Sequence, residues 1–334
     1  MGLINHKFLL AARPAGMLKG SDWTFTEEPV PEPKEGELLV QVLYISLDPA
    51  MRMWLNDVRS YTPPVGIGEL MRALGVGIVT ASRNPHFSVG DHVSGLFGVQ
   101  EYALTDGGRV TKVDTKAAPL PKYLSALGMP GMTAYFGLLD TGQPKPGETV
   151  VVSAAAGAVG SLVGQIAKIM NCRVVGIAGG AEKCRYIVHE LGFDAAIDYK
   201  SEDVKQSLQK HCPKGIDVYF DNVGGTILEA ALSNLARGAR VVICGAISQY
   251  NNTGPMAGPR NYMSLLTNRA MMKGMLVFDY VDHYPQAKAE MAEWMAASKL
   301  KSREDIVEGL AAFPETLLKL FNGENLGKLM LKVG

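Results

Sequence analysis

Residues 150–160 of the chain read VVVSAAAGAVG, and this stretch decides the fold. The three valines predict a buried strand, the small residues after them predict a tight turn, and a helical pattern runs over Ala158–Met170. A strand, a turn and a helix in this order present a helix N-terminus that can bind the pyrophosphate of a dinucleotide. In the Gly-x-Gly-x-x-Gly pattern, Ala155 takes the first glycine position, while Gly157 and Gly160 keep the other two. The alternative is that these small residues only pack a helix closely against a sheet.

The sequence that follows supports the nucleotide interpretation, because strand patterns alternate there with helix patterns. Six strands at this spacing predict an α/β fold with a doubly wound parallel sheet, the Rossmann arrangement of a complete dinucleotide domain. The predicted strands cover Val150–Val152, Arg173–Ile177, Ala195–Asp198, Ile216–Phe220, Ala239–Cys244 and Met275–Phe278. The predicted helices cover Ala158–Met170, Ala181–Leu191, Ser201–Lys210, Thr226–Leu235 and Gln286–Ser298.

The first third of the chain has a different pattern, in which short strands are separated by Pro and Gly. Strands are predicted over Glu37–Ile45, Gly75–Ala81 and Asp91–Leu96, which indicates a small β-rich domain. After a predicted helix over Phe313–Phe321, the tail ends in a strand pattern over Lys328–Val333 that has no partner nearby in sequence. We therefore expect the tail to return to the first domain. The expected organisation is residues 1–122 for the first part of the β-rich catalytic domain, 123–298 for the nucleotide domain and 299–334 for the returning part.

Composition excludes several classes of partner. Lys plus Arg and Asp plus Glu each number 33, so the basic excess of a nucleic-acid-binding protein is missing. The uncharged stretch 149–167 changes from a strand pattern to a helix pattern halfway, so no membrane span is expected. Residues 1–16 hold too short an apolar patch for a secretory signal. The four cysteines form no Cys-x-x-Cys pair, which favours free thiols and a cytoplasmic location.

The residues around the second predicted strand indicate which dinucleotide is bound. NAD enzymes place an acidic residue about 20 positions after the glycine motif, where it holds the ribose 2′-hydroxyl. Here residues 176–180 read GIAGG and contain no carboxylate, while Lys183, Arg185 and Lys200 follow. Cations in place of an acid favour NADP(H), because they can bind its 2′-phosphate. The alternative is that Lys183 and Arg185 are solvated helix residues.

The sequence does not predict a catalytic metal. The first domain contains no cysteine, and its histidines, His6, His86 and His92, are not closely paired. Hydride transfer without a metal requires an acceptor that is already polarised, such as an enone or a quinone.

Together these residues identify a family. The chain resembles the zinc-independent medium-chain dehydrogenases/reductases, in the group of leukotriene B4 dehydrogenase/prostaglandin reductase and curcumin reductase. The blocks that carry the resemblance are spread over most of the chain: Ser46–Arg52, Gly128–Leu138, Ala154–Gly160, Tyr219–Gly225, Cys244–Asn251 and Asn325–Lys328.

The resemblance implies a GroES-like catalytic domain built from both chain ends, with the Rossmann domain inserted between them. It also implies a homodimer and NADPH-dependent reduction of an α,β-unsaturated carbonyl compound, with hydride delivered to the β-carbon. Alternatives on the same fold are a quinone oxidoreductase, a secondary-alcohol dehydrogenase and a nucleotide-binding protein without turnover. The chain has Ala50 and Met275 where the family often has Tyr and an aromatic residue, which leaves the substrate open.

By position, the resemblance assigns residues to the cofactor. The pyrophosphate loop is Gly157, Ala158, Val159 and Gly160, and the 2′-phosphate and adenosine contacts are Lys183 and Tyr199. Asn222 is a contact after the fourth strand. The nicotinamide-side contacts are Cys244, Gly245, Ala246, Ile247, Ser248, Gln249, Tyr250, Met275, Leu276, Val277 and Asn325.

Two tyrosines are candidates for the proton donor, because a phenol can supply a proton or a hydrogen bond to a developing enolate. Tyr250 is expected near the nicotinamide ribose and the substrate carbonyl. Tyr61 is the second candidate, with the alternative that it only covers the edge of a core. The long connection Asn251–Thr267 is expected to shape the substrate pocket, with Tyr262 as a lining residue; the alternative is a disordered surface loop.

Overall fold

The computed structural model describes residues 2–333, which divide into two units. The first unit comprises Met1–Leu124 and Glu304–Gly334, and the second comprises Ser125–Arg303. The divisions between the units fall after residues 124 and 303, whereas the sequence predicted them after residues 122 and 298. Among the helices of residues 2–333, none combines the length and the apolar character needed to cross a membrane.

The regular structure in the N-terminal part of the first unit is mainly β, with one short α-helix, α1 (Ala50–Met53). The strands are β1 (Ile4–Leu10), β2 (Trp23–Pro29), β3 (Leu38–Ser46), β4 (Gly75–Ser82), β5 (His92–Gly95), β6 (Tyr102–Thr105) and β7 (Thr111–Lys112). β1 and β2 pair antiparallel as a separate two-stranded sheet. The predicted strands correspond to β3, β4 and β5, whereas β1, β2, β6 and β7 were not predicted. None of these four is buried along its whole length.

The second unit alternates strands with helices around one parallel sheet. In chain order its elements are α2 (Met129–Phe136), β8 (Thr149–Ser153), α3 (Ala158–Ile169), β9 (Arg173–Ala178), α4 (Ala181–His189), β10 (Ala195–Asp198), α5 (Val204–His211), β11 (Ile216–Asp221), α6 (Gly225–Leu232), β12 (Leu235–Ile243), α7 (Met263–Asn268), β13 (Met271–Gly274) and α8 (Tyr284–Ala296). The strand order β10-β9-β8-β11-β12-β13 shows the chain winding outward from β8 in both directions. This is the predicted doubly wound Rossmann sheet.

The position of the sixth strand was predicted wrongly. The strand is Met271–Gly274, and it pairs parallel with β12 from Arg240↔Met271 to Ile243↔Gly274. The more apolar Met275–Phe278 lies beyond it and leads into a 3₁₀ helix over Val277–His283. All four residues of β13 are exposed at the sheet edge, so burial imposes no apolar pattern on them. The helix predicted over Thr226–Leu235 also ends earlier, at Leu232, because β12 begins at Leu235.

The C-terminal tail completes the first unit. It contains β14 (Glu304–Glu308), α9 (Phe313–Asn322) and β15 (Lys328–Lys332). β15 pairs antiparallel with β3 and parallel with β14, giving a sheet of order β14-β15-β3-β4-β5-β7 with β6 also on β3. The ring of Phe313 lies 5.2 Å from that of Phe8 and 4.9 Å from that of Trp23, between centroids. Both ends of the chain therefore supply one core.

Candidate functional site

The predicted phosphate loop forms the turn between β8 and α3. Ala154 has a left-handed backbone with φ of 50°, and its carbonyl accepts the N–H of Gly157 at 2.9 Å. Gly157 is the N-cap of α3, and no side chain within residues 2–333 caps this helix start. The first N–H groups of a helix have no intrahelical partner and carry a partial positive charge. Gly157, Ala158 and Val159 are partly exposed, so this charge faces an accessible surface.

The loop has the steric properties that a pyrophosphate requires. A Cβ on Gly160 would overlap the carbonyl oxygen of Ala154, so glycine lets α3 approach the end of β8 closely. A Cβ on Gly157 would lie 3.2 Å from the same oxygen and would narrow the loop between Ala154 and the start of α3. The residues present therefore fit a dinucleotide pyrophosphate.

Lys183 and Tyr199 follow adjacent strands, β9 and β10, at the same edge of the sheet. Lys183 lies in the first turn of α4 and is partly buried. Tyr199 is 42% exposed, and its ring lies against Gly179, where a Cβ would come 2.8 Å from the Tyr199 hydroxyl. An aromatic face and a cation at this edge are suited to an adenosine 2′-phosphate.

Asp198, at the end of β10, shapes this edge and was missed by sequence reasoning. Its Oδ1 accepts the backbone N–H groups of Gly180 at 2.7 Å and Lys200 at 3.0 Å. These bonds, the one from Gly180 foremost, hold the pKa of Asp198 below its ordinary value. The carboxylate is therefore engaged with the backbone of the two turns.

At the centre of the sheet, Asn222 lies against the end of β8. Its side-chain N–H donates to the carbonyl of Ser153 at 2.7 Å, and its backbone N–H donates to the Ser153 hydroxyl at 2.9 Å. The two residues bridge β8 and β11, between which the direction of winding reverses. Ligands of doubly wound sheets bind in the crevice at such a point.

The segment Cys244–Tyr250 packs beside Asn222. Ile247 donates its backbone N–H to the carbonyl of Asn222 at 3.2 Å, and Ser248 donates to the carbonyl of Val223 at 3.2 Å. The Tyr250 hydroxyl accepts the backbone N–H of Ala246 at 3.1 Å, so the tyrosine folds back over its own segment. The structure thus brings Asn222 and this segment together.

Met275, Leu276 and Val277 follow β13 at the same end of the sheet. Met275 donates its backbone N–H to the carbonyl of Ile243 at 3.2 Å, beside the start of the Cys244 segment. Val277 is buried, and its carbonyl accepts the Tyr284 hydroxyl at 3.0 Å. These three residues belong to no strand, and their contact with a nicotinamide stays a prediction.

Tyr61 and Asn325 belong to the first unit. Tyr61 is 49% exposed, and its hydroxyl accepts the indole N–H of Trp54 at 3.2 Å. The Asn325 side chain donates to the carbonyl of Gly327 at 3.0 Å. Their assignment to the active site stays a prediction.

The connection predicted over Asn251–Thr267 ends earlier, because α7 begins at Met263, and it is anchored just before that helix. The N–H of Arg260 donates to Oε1 of Glu229 at 3.0 Å, and the Asn261 side chain donates to the carbonyl of Glu229 at 2.8 Å. Tyr262 follows and is 59% exposed. Its contact with a substrate stays a prediction.

Residues 2–333 contain no group of three or more His, Cys, Asp or Glu side chains placed to hold a metal ion. The four cysteines, Cys172, Cys184, Cys212 and Cys244, are free thiols. All four lie in the second unit.

Two family models match the chain. One, described as the N-terminal domain of oxidoreductase, matches residues 6–113, and one described as zinc-binding dehydrogenase matches residues 158–297. The NADPH-dependent curcumin reductase of Escherichia coli is 42% identical over 98% of this chain and 97% of its own length. The NADP(+)-dependent 2-alkenal reductase of Nicotiana tabacum is 43% identical over 91% of this chain and 89% of its own.

A solved structure of a similar protein has the same fold. CurA from Vibrio vulnificus in complex with NADPH superposes with a TM-score of 0.94 at 43% identity, covering 98% of this chain and 99% of that chain. The matches cover nearly the whole chain and so include both units. The chain belongs to the zinc-independent medium-chain dehydrogenase/reductase family, in the group that contains the curcumin and alkenal reductases.

Proposed function

We propose that the protein reduces the carbon–carbon double bond of α,β-unsaturated ketones and aldehydes, with NADPH as reductant and without a catalytic metal. The observation that carries the proposal is that relatives named for curcumin and 2-alkenal reduction align with more than nine-tenths of the chain. The phosphate loop at the start of α3 supports the cofactor half of the proposal, because its glycines leave room for a pyrophosphate.

The cofactor would be held along the carboxyl edge of the parallel sheet. Gly157–Gly160 and the N-terminus of α3 would bind the pyrophosphate, and Lys183 and Tyr199 would bind the adenosine 2′-phosphate end. The nicotinamide side would meet Asn222, the Cys244–Tyr250 segment and Met275–Val277. Asn325 is assigned to the nicotinamide side by the family resemblance alone.

When bound, NADPH supplies the hydride that the β-carbon of the substrate accepts. The α-carbon and the carbonyl oxygen then share the charge of an enolate, which a hydroxyl group can stabilise or protonate. We assign this role to Tyr250. The Ala246 N–H that donates to its oxygen would stabilise the charge left there after proton transfer. Tyr61 is the second candidate, with its hydroxyl oriented by the Trp54 indole.

An assay with one enone tests the function. Purified protein, NADPH and 4-phenyl-3-buten-2-one should consume NADPH and give the saturated ketone, and NADPH should not be consumed without an acceptor. The allylic alcohol as product would show carbonyl chemistry instead. NADPH consumption with a quinone but not with the enone would support the alternative that the protein is a quinone oxidoreductase. Binding of NADPH without turnover of any acceptor would support a nucleotide-binding protein.

We propose that two copies associate through the edge strand β13. Its outer edge pairs with no other strand in residues 2–333, and unpaired strand edges favour association with a further strand. Met271 and Met272 are 46% and 38% exposed, and Leu266 on the preceding helix is 70% exposed. A twofold dimer would cover this apolar surface. Sedimentation equilibrium at micromolar concentration should give a dimer that Met272→Lys weakens, whereas a wild-type monomer would contradict the proposal.

We also propose a cytoplasmic location. Burial raises the pKa of the Cys172, Cys184 and Cys212 thiols to about 11 and that of Cys244 to about 12, so all four stay protonated at neutral pH. Free thiols are typical of a reducing compartment. Fractionation of cells that express the protein should place it with the cytoplasmic proteins, and recovery from an oxidising compartment would contradict this.

A further inference from the structure

A buried carboxylate lies directly beneath the candidate cofactor site. Asp221 ends β11 and is 1% exposed. Its Oδ1 accepts the hydroxyls of Ser153 and Tyr219, each at 2.9 Å, and the backbone N–H of Val223 at 3.0 Å. The N–H of Gly224 donates to both carboxylate oxygens, at 3.0 and 3.1 Å.

The same residue connects three strands. Ser153 is the last residue of β8, and its hydroxyl accepts the N–H of Asn222. The backbone carbonyl of Asp221 accepts the N–H groups of Cys244, at 2.9 Å, and Gly245, at 3.1 Å, just after β12. Asp221 therefore holds the ends of β8, β11 and β12, each of which leads into a segment assigned to the cofactor.

We propose that Asp221 is a positioning residue that fixes the segments after β8, β11 and β12 in the arrangement that binds NADPH. The inference rests on the proposed function for the identity of the cofactor. It concerns a residue that need not touch the cofactor itself.

The carboxylate is needed because all of its partners donate. Gly224 has a positive φ of 70°, and its N–H donates to the carboxylate of Asp221. A Cβ on Gly224 would lie 3.1 Å from Cβ of Ala246, so the two segments are in close contact. An amide at position 221 with its oxygen in the Oδ1 position would place its N–H₂ group where Oδ2 now accepts the N–H of Gly224, so two donors would face each other. The segment 222–225 would then shift against Ala246.

A matched pair of variants separates positioning from general stability. Asp221→Asn changes the carboxylate at the cofactor end of β8 and β11. Asp217→Asn changes a carboxylate that joins the same two strands at their other end, where Oδ2 of Asp217 accepts the N–H of Thr149 at 2.8 Å. The dissociation constant of NADPH, from fluorescence titration, and the thermal unfolding midpoint are measured for both variants and the wild type.

We expect Asp221→Asn to raise the dissociation constant of NADPH about tenfold to a hundredfold, the effect of losing a hydrogen bond to a charged group. Asp217→Asn should lower the unfolding midpoint while leaving NADPH binding at the wild-type value. In steady-state assays, Asp221→Asn should raise KM for NADPH more than it lowers kcat at saturating NADPH.

Two results would overturn the inference: wild-type NADPH affinity in Asp221→Asn, or equal weakening by both variants. If Asp221→Asn does not fold, Ser153→Ala removes one donor to the carboxylate together with the acceptor of the Asn222 N–H. That variant should also weaken NADPH binding, and wild-type affinity in it would overturn the inference. A wild-type protein that does not bind NADPH would instead refute the proposed function, so the two failures are distinguishable.

Discussion

At the scale of single residues, we propose that Lys183 sets the preference between NADPH and NADH. If it binds the 2′-phosphate, Lys183→Ala should weaken NADPH binding about tenfold to a hundredfold, the magnitude of a charge-assisted contact, and scarcely change NADH binding. Arg185→Ala, on the exposed side of the same helix, is the matched control and should change neither. Fluorescence titration with both cofactors is the measurement. Equal losses for NADPH and NADH would refute the assignment.

A second prediction at this scale concerns the proposed proton donor, Tyr250. Removing a general acid typically lowers turnover about a hundredfold or more, so Tyr250→Phe should reduce kcat with a poorly reactive enone by about that factor. The Ala246 N–H also loses its acceptor, so the NADPH dissociation constant is measured alongside to separate the two effects. Tyr61→Phe is tested in parallel. Normal turnover in Tyr250→Phe would remove this tyrosine from the mechanism.

Sequence reasoning singled out the glycines of the candidate phosphate loop but not the two aspartates at the ends of the neighbouring strands. Gly157 and Gly160 were found because a phosphate loop needs small residues at a fixed spacing. Asp221 and Asp198 were missed because an acid at the end of a strand has no pattern of its own. Asp198 accepts the N–H of Gly180, 18 residues away, and Asp221 accepts the hydroxyl of Ser153, 68 residues away, so only the folded chain brings these partners near.

At the scale of elements, prediction succeeded where burial imposes a pattern. β8 is buried along its whole length, and its three valines made it visible in the sequence. β13 has four exposed residues, so the more apolar Met275–Phe278 was taken for the sixth strand. β14, whose sequence is EDIVE, is partly exposed and mostly acidic, and it was not predicted either. Its position follows from pairing with β15, which no local signal encodes.

A prediction about stability concerns the buried ion pair between Lys328 on β15 and Asp48, just after β3. The Lys328 ammonium donates to Oδ1 of Asp48 at 2.8 Å and to the carbonyl of Leu47 at 2.6 Å, and burial lowers the pKa of Lys328. Lys328→Met would leave the buried carboxylate without its cation, which should cost about 3–5 kcal/mol of unfolding free energy. Denaturant unfolding is followed by the fluorescence of Trp23 and Trp54, in the first unit, in a Trp294→Phe background.

An ion pair between the two C-terminal strands, β15 and β14, is the control. Lys332 contacts Glu308 at 3.1 Å, but their side chains are 42% and 79% exposed, so water already solvates each charge. Lys332→Met should therefore leave the unfolding free energy nearly unchanged. A similar loss of unfolding free energy in both variants would show that the burial of Lys328 does not explain the effect.

At the scale of the whole molecule, the chain builds one unit from both of its ends and the other from its middle. An apolar strand pattern at 328–333 with no local partner indicated this organisation. The alternation of strands and helices from residue 149 onward predicted the Rossmann sheet, which the structure confirms. The predicted contacts of Asn325 and Tyr61 with the reacting groups depend on both units at once. Neither composition nor periodicity can establish such contacts, and they stay predictions.

The central claim is that hydride is delivered to the β-carbon of an enone, and isotope transfer tests it most directly. The enzyme is given 4-phenyl-3-buten-2-one and NADPH that carries deuterium at the transferred position of C4. The position of the label in the product is then read by NMR. We predict deuterium on the β-carbon of the saturated ketone, with the α-carbon receiving a solvent proton. Deuterium on the carbonyl carbon of an alcohol would contradict the account.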